Sequence, residues 1–198
     1  MNRIPVIPTI FVAAAIATMI ALGVWQLSRM DEKEAVLARY AAAQDLGERV
    51  AFPLDPARID DTLYRRSGFT CEEVLSQRTT PGRSASGRSG IAQMARCRLA
   101  EGGEAEVAFG WTAAPQVVEW EGGEVRGIVG PAGAEARLVA DPAAAGLEPL
   151  SPPDPADIPN NHLAYAGQWF FFAITALVIY LLALRRRTAS GATRARDD

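Results

Sequence analysis

His162 is the only histidine in this 198-residue chain. It lies in the stretch Asn160-Asn161-His162-Leu163-Ala164-Tyr165-Ala166-Gly167-Gln168-Trp169-Phe170. At helical spacing Tyr165 falls at i+3 and Trp169 at i+7, so the three share a face, with Gln168 beside it. Asn160 or Asn161 is expected to cap the helix. An imidazole among aromatics at the edge of an apolar helix suits an axial ligand to haem iron, because the macrocycle is apolar and its propionates seek water and cations. The same residues also describe an interfacial aromatic belt with a solvated histidine. The residues alone leave both readings open.

A matching set stands near the other end of the chain: Gly23, Trp25, Gln26, Arg29 and Lys33. Trp25 and Arg29 are four apart and share a helix face. Arg29 can hold a propionate through paired hydrogen bonds, or a lipid phosphate by the same geometry. Other chemistry is poorly supplied. One histidine excludes a multi-histidine metal site, and a Ser-His-Asp arrangement would need His162 with Asp154 or Asp157 and has no nucleophile motif. No glycine-rich phosphate loop stands at a strand-to-helix junction. The chain therefore does not read as an enzyme. Cys71 and Cys97 each fall in or beside a predicted strand. In an oxidising compartment they are expected to be bonded, with two buried free thiols as the alternative.

The elements that must position these residues are two apolar blocks. From Ile4 to Leu27 there is no charged residue, and none from Leu163 to Leu184. Helices of that length cover the roughly 30 Å hydrocarbon core of a bilayer. A core helix of a soluble protein would show a polar face at every turn. The first block is longer than a signal-peptide core and ends without a small-x-small cleavage site, so it reads as an uncleaved anchor. Arg185, Arg186, Arg187, Arg194 and Arg196 follow the second block, while Ser151 to His162 holds no Lys or Arg. By the positive-inside rule both termini are cytoplasmic, consistent with Arg3, although Arg29 and Lys33 pull the other way. The single lysine and abundant Ala, Gly and Arg point to a high-GC bacterium, which would make the outer compartment the periplasm and the membrane the inner one.

Between the blocks, Met30 to His162 holds 13 Lys and Arg against 21 Asp and Glu. An acidic domain is a poor partner for nucleic acid. Residues 28–47 read as a helical extension of the first span (6–27), ending near Gly47. A domain over 48–161 follows. Leu63 to Val74 contains a strand, and Arg78 to Gly90 reads as a loop or hairpin tip able at most to bind an anion. Ile91–Leu99 and Ala105–Trp111 flank Glu101-Gly102-Gly103-Glu104, while Val117–Trp120 and Val125–Val129 flank Glu121-Gly122-Gly123-Glu124; both are hairpin patterns. Ala136–Ala140 is a further strand. Residues 141–159 carry six prolines and must be extended. The second span covers 162–184, flanked by residues 1–5 and the basic tail 185–198 on the cytoplasmic side. The predicted class is a membrane protein, α+β overall: two transmembrane helices flank a mainly antiparallel β domain, a small barrel or sandwich in the periplasm.

Gly23-Val-Trp-Gln-Leu-Ser-Arg29, with Lys33 one turn on, resembles the N-terminal signature of the surfeit locus protein family of cytochrome c oxidase assembly factors. Tyr64-Arg65-Arg66, Gly110-Trp111 and Gly127-Ile-Val-Gly130 are similar to its internal landmarks. Asn161-His162-Leu-x-Tyr165-x-x-Gln168-Trp169-Phe170 resembles its C-terminal signature. The resemblance covers the chain in order, except that Thr70 to Ala100 does not align with the pattern and the loop before Asn160 is unusually rich in proline. It implies a chaperone of the respiratory chain that assists haem a insertion into the catalytic subunit of cytochrome c oxidase. It further implies transient binding of haem a, with His162 as iron ligand and Tyr165, Gln168, Trp169, Trp25 and Arg29 around it. The implied partners are that subunit and the lipid bilayer, with haem a synthase as a further one. The alternative is a membrane-anchored scaffold that steadies an immature oxidase subunit without haem.

Overall fold

A computed structural model of the chain describes residues 5–194, with side chains described as far as Arg187. Arg3, Arg196 and the side chain of Arg194, which enter the charge argument, lie outside that description. The chain divides into two compact units, residues 1–36 with 159–198 and Leu37–Ile158.

The first unit is a pair of helices. Helix α1 runs Val6–Gln44, its last turns belonging to the second unit, and α3 runs His162–Arg194. Both are long and apolar enough to cross a membrane. Phe11 is 72 % exposed and Phe171 64 % exposed. Rings left that bare belong against lipid, whereas the core helix of a soluble protein would bury them. Three contacts show that the helices run antiparallel. Thr9 bonds Tyr180, Gly23 lies against Phe170, and Gln26 meets His162. The two polar contacts are separated by about 26 Å along α1 and about 27 Å along α3, counted at the helical rise. That spacing is close to the thickness of the hydrocarbon core. No Gly or Pro interrupts α1 after Gly23, so it continues well past the apolar block and ends at Gln44, short of Gly47.

The second unit is a closed five-stranded barrel with strand order β1-β2-β3-β5-β4. The strands are β1 Arg66–Arg83, β2 Ser89–Leu99, β3 Glu104–Thr112, β4 Gly123–Ala132 and β5 Glu135–Ala140. The sheet is mixed rather than purely antiparallel, since β5 lies parallel to β3 while every other pair is antiparallel. Closure depends on β1. Its first residues pair with β4 and its remainder with β2, and register shifts between Cys71 and Glu73 and between Val74 and Ser76 bend it from one neighbour to the other. Inward positions alternate along the shorter strands, with Val125, Gly127 and Val129 on β4 and Ala136, Leu138 and Ala140 on β5. Val125, Leu138 and Ala140 among them close on Phe109, Val107 and Leu99. At the β2–β3 turn Gly102 and Gly103 have φ of +88° and +87°, values that side chains disfavour.

Two sequence expectations about strands need correction here, while the strand expected within Leu63–Val74 is present and begins at Arg66. Arg78–Gly90 is mostly strand, with only residues 84–88 at the hairpin tip, because pairing continues to Arg83 and Ser89. Its small residues serve packing: a Cβ on Gly90 would collide with the Trp111 ring, which crosses the strand there. Val117–Trp120 is extended but joins no ladder. The buried Gln93 accepts from Val118 N and donates to Gln116 O, and Gln77 donates to Trp120 O. Trp120 stacks on Phe109, so the segment covers the core through side chains. Leu63–Tyr64 precedes the strand. Short helix α2, Ile59–Thr62, ends there, and Tyr64 takes a φ of +64° while buried against Tyr40. Burial, then the nearby Tyr40, Asp154 and Asp157, hold the Tyr64 phenol above its ordinary range. The proline-rich segment forms no α-helix and joins no sheet ladder, but it is not extended throughout: it turns at Ala145-Gly146 and makes one 3-10 turn at Pro155–Asp157. It straps the barrel through bridges from Leu150 to Ser84 and Glu148 to Trp111.

Cys71 and Cys97 are bonded, with their Cα atoms 5.2 Å apart and both side chains buried in the core. Cross-linking a loop of this separation limits the unfolded chain and is worth about 3 kcal/mol. Replacing both cysteines by serine should therefore lower the unfolding free energy of the barrel by about that amount, read as a lower denaturant midpoint. An unchanged midpoint would mean the bond contributes nothing.

Candidate functional site

The site is built on the antiparallel helix pair. On α3, Ala166 and Ala173 are buried at 1 % and 4 % exposure, and they share a stripe with His162 one turn before. On α1, Gly23 is buried one turn before Gln26. A Cβ on Gly23 would come 2.6 Å from Phe170 Cε1, so the missing side chain lets the backbone of α1 approach that ring. Close approach through small residues brings the next polar pair into reach. His162 Nδ1 lies 2.7 Å from Gln26 Oε1, with both residues half-buried.

That contact has a chemical consequence. With the amide oxygen of Gln26 turned to the ring, the tautomer that satisfies the contact carries its hydrogen on Nδ1 and leaves the Nε2 lone pair free. A metal-binding imidazole has this form, with one nitrogen bonded to an outer acceptor and the other free for the metal.

The remaining predicted residues are placed less uniformly. Arg29 lies over the Trp25 ring, 5.6 Å from its centroid, and pairs with Glu32 one turn on. Trp25 and Tyr165 are about half exposed, and Gln168 is exposed. Trp169 is half-buried and meets Phe172 edge-on. The structure thus joins Trp25 to Arg29 and His162 to Gln26. The expected cap on α3 is not made by Asn160, whose Oδ1 is buried without a hydrogen-bond partner among the described residues.

Gln26 is the residue whose role the sequence reading undervalued. Its place level with the second-span aromatics was readable from depth along the helix. Its contact with His162 depends on which faces the two helices turn to each other, and Gly23 was the available signal.

Two antiparallel apolar helices carrying a β-barrel and one cross-helix imidazole define a membrane-anchored protein with a barrel outside the apolar spans. The SURF1 family model matches residues 13–174, which include the whole barrel, most of α1 and the first turns of α3. The chain belongs to the SURF1 family, known as cytochrome c oxidase assembly factors. No curated protein matches the chain.

Proposed function

We propose that this chain assists the insertion of haem a into the catalytic subunit of cytochrome c oxidase, holding haem a transiently between His162 on α3 and the Trp25–Arg29 stretch of α1. The observation that carries the reading is the His162–Gln26 hydrogen bond, which leaves Nε2 available to iron. Trp25 and Tyr165 supply exposed aromatic surface for a macrocycle. Arg29 and Lys33 supply positive charge for propionates. Haem a is cargo in this reading; the chain's residues bind and orient it and no bond of it is broken. Haem a synthase is the natural donor and the oxidase subunit the acceptor.

A scaffold without haem is the second reading, favoured by the Arg29–Glu32 pair, which already occupies the proposed propionate clamp. Affinity purification from membranes that make haem a separates the two. The haem reading expects the catalytic subunit and haem a to copurify with the chain. The subunit without haem in any preparation would favour the scaffold.

The barrel is assigned to the periplasm of a bacterial inner membrane, with both termini cytoplasmic. The antiparallel helix pair and the basic run Arg185–Arg187 support that assignment. A reporter active only in the periplasm should be active when inserted at 84–88 and silent when fused after Arg187. The reverse pattern would invert the assignment.

A further inference from the structure

We infer that Gln26 is the positioning residue of the haem site: it holds His162 in the tautomer whose Nε2 can bind iron, and its neutrality keeps that bond releasable. The inference rests on the haem reading above and adds to it a partner for the ligand and a reason for transient binding.

The geometry singles Gln26 out. Gln26 Oε1, at 2.7 Å, is the one hydrogen-bond partner of the His162 ring among the described residues, and it comes from the opposite helix. Of the polar side chains nearest in sequence, Asn160 and Asn161 before the helix and Tyr165 on it, none bonds to the ring among the described residues. The pair is set by backbone packing, since Gly23 and Gln26 lie on one face of α1 while His162 and Ala166 lie on one face of α3. A ring tethered from across the interface cannot turn over without breaking that bond, and turning over would direct the protonated nitrogen to the iron.

The amide itself matters. A carboxylate at this position would draw the Nδ1 hydrogen strongly, increase the basicity of Nε2 and tighten its hold on ferric iron. Apolar contact would leave the tautomer undetermined and the ring free to rotate. An amide lies between, orienting the ring without charging it. That suits a protein that must give its cargo up. It also suits a site beside hydrocarbon, where a charged partner is costly.

The experiment exploits the single histidine. Labelling all histidine with nitrogen-15 labels His162 alone. In the detergent-solubilised apoprotein the label should report Nδ1 protonated and Nε2 bare. Gln26→Leu should abolish that preference and weaken retention of haem a about ten- to a hundredfold. Gln26→Met, a longer apolar variant, repeats the test should leucine disturb helix packing. Gln26→Glu should restore the preference, retain haem a at least as well as wild type and move its reduction potential to a more negative value. An apoprotein protonated on Nε2 would overturn the inference, as would Gln26→Leu and Gln26→Met variants with wild-type tautomer and haem retention. Wild-type protein that takes up no haem a would instead overturn the haem reading itself, and the labelled apoprotein would still decide whether Gln26 sets the tautomer.

Discussion

Gly127→Val is expected to cost the barrel about 3 kcal/mol or more, the upper range for forcing atoms into a packed interior. Gly127 stands opposite Ala140 in the β4–β5 ladder and opposite Ser67 in the β1–β4 ladder, so it belongs to both pairings. A Cβ there would fall inside the van der Waals envelope of the Val139 carbonyl oxygen and 2.7 Å from its carbonyl carbon. Backbone cannot rotate aside as a side chain can. The substitution must push β4 and β5 apart, and β5 is the strand that closes the barrel onto β3. Denaturant unfolding followed by tryptophan fluorescence measures the loss. Gly47→Ala provides the control, because no atom lies within 4 Å of a Cβ at Gly47; it should be neutral to within about 0.5 kcal/mol. If Gly127→Val and Gly47→Ala cost the same, the close approach at β4–β5 is not what keeps Gly127 free of a side chain.

The second large effect falls on His162. In cells whose own copy has been removed, a chain carrying His162→Ala should leave the oxidase as poor in haem a as no chain at all. The side chain belongs to the helix unit, while the barrel core and its disulfide belong to the other unit. The variant should therefore accumulate in the membrane at the wild-type level with an unchanged barrel. Haem a content of the purified oxidase and immunodetection of the chain together read this result. A normal haem a content with His162→Ala would remove the histidine from the function.

Much of this architecture was legible in the residues. The two spans stand out because lipid tolerates no charge over their length, and both blocks obey that rule. The β2–β3 hairpin is announced by Gly102-Gly103, since only glycine takes two successive positive φ values easily. The long β1–β2 hairpin was hidden. Arg, Ser and Gly between 78 and 90 look like loop, yet Gly90 is small because Trp111 lies across it. The parallel β3–β5 pair was equally hidden, since strand patterning shows which face is buried and not which strand is the neighbour. At the site, type and spacing brought out His162, Trp25 and Arg29. The His162–Gln26 contact joins positions 136 apart, and it depends on the rotation of two helices, which Gly23 against Phe170 decides.

Whether His162 offers Nε2 to the iron of haem a is read from the absorption spectrum of the protein purified from membranes that synthesise haem a, wild type beside His162→Ala. The wild type should show a Soret band that is shifted or lost in the variant. A wild type without haem, or a variant with the same band at the same position, would contradict that role for His162.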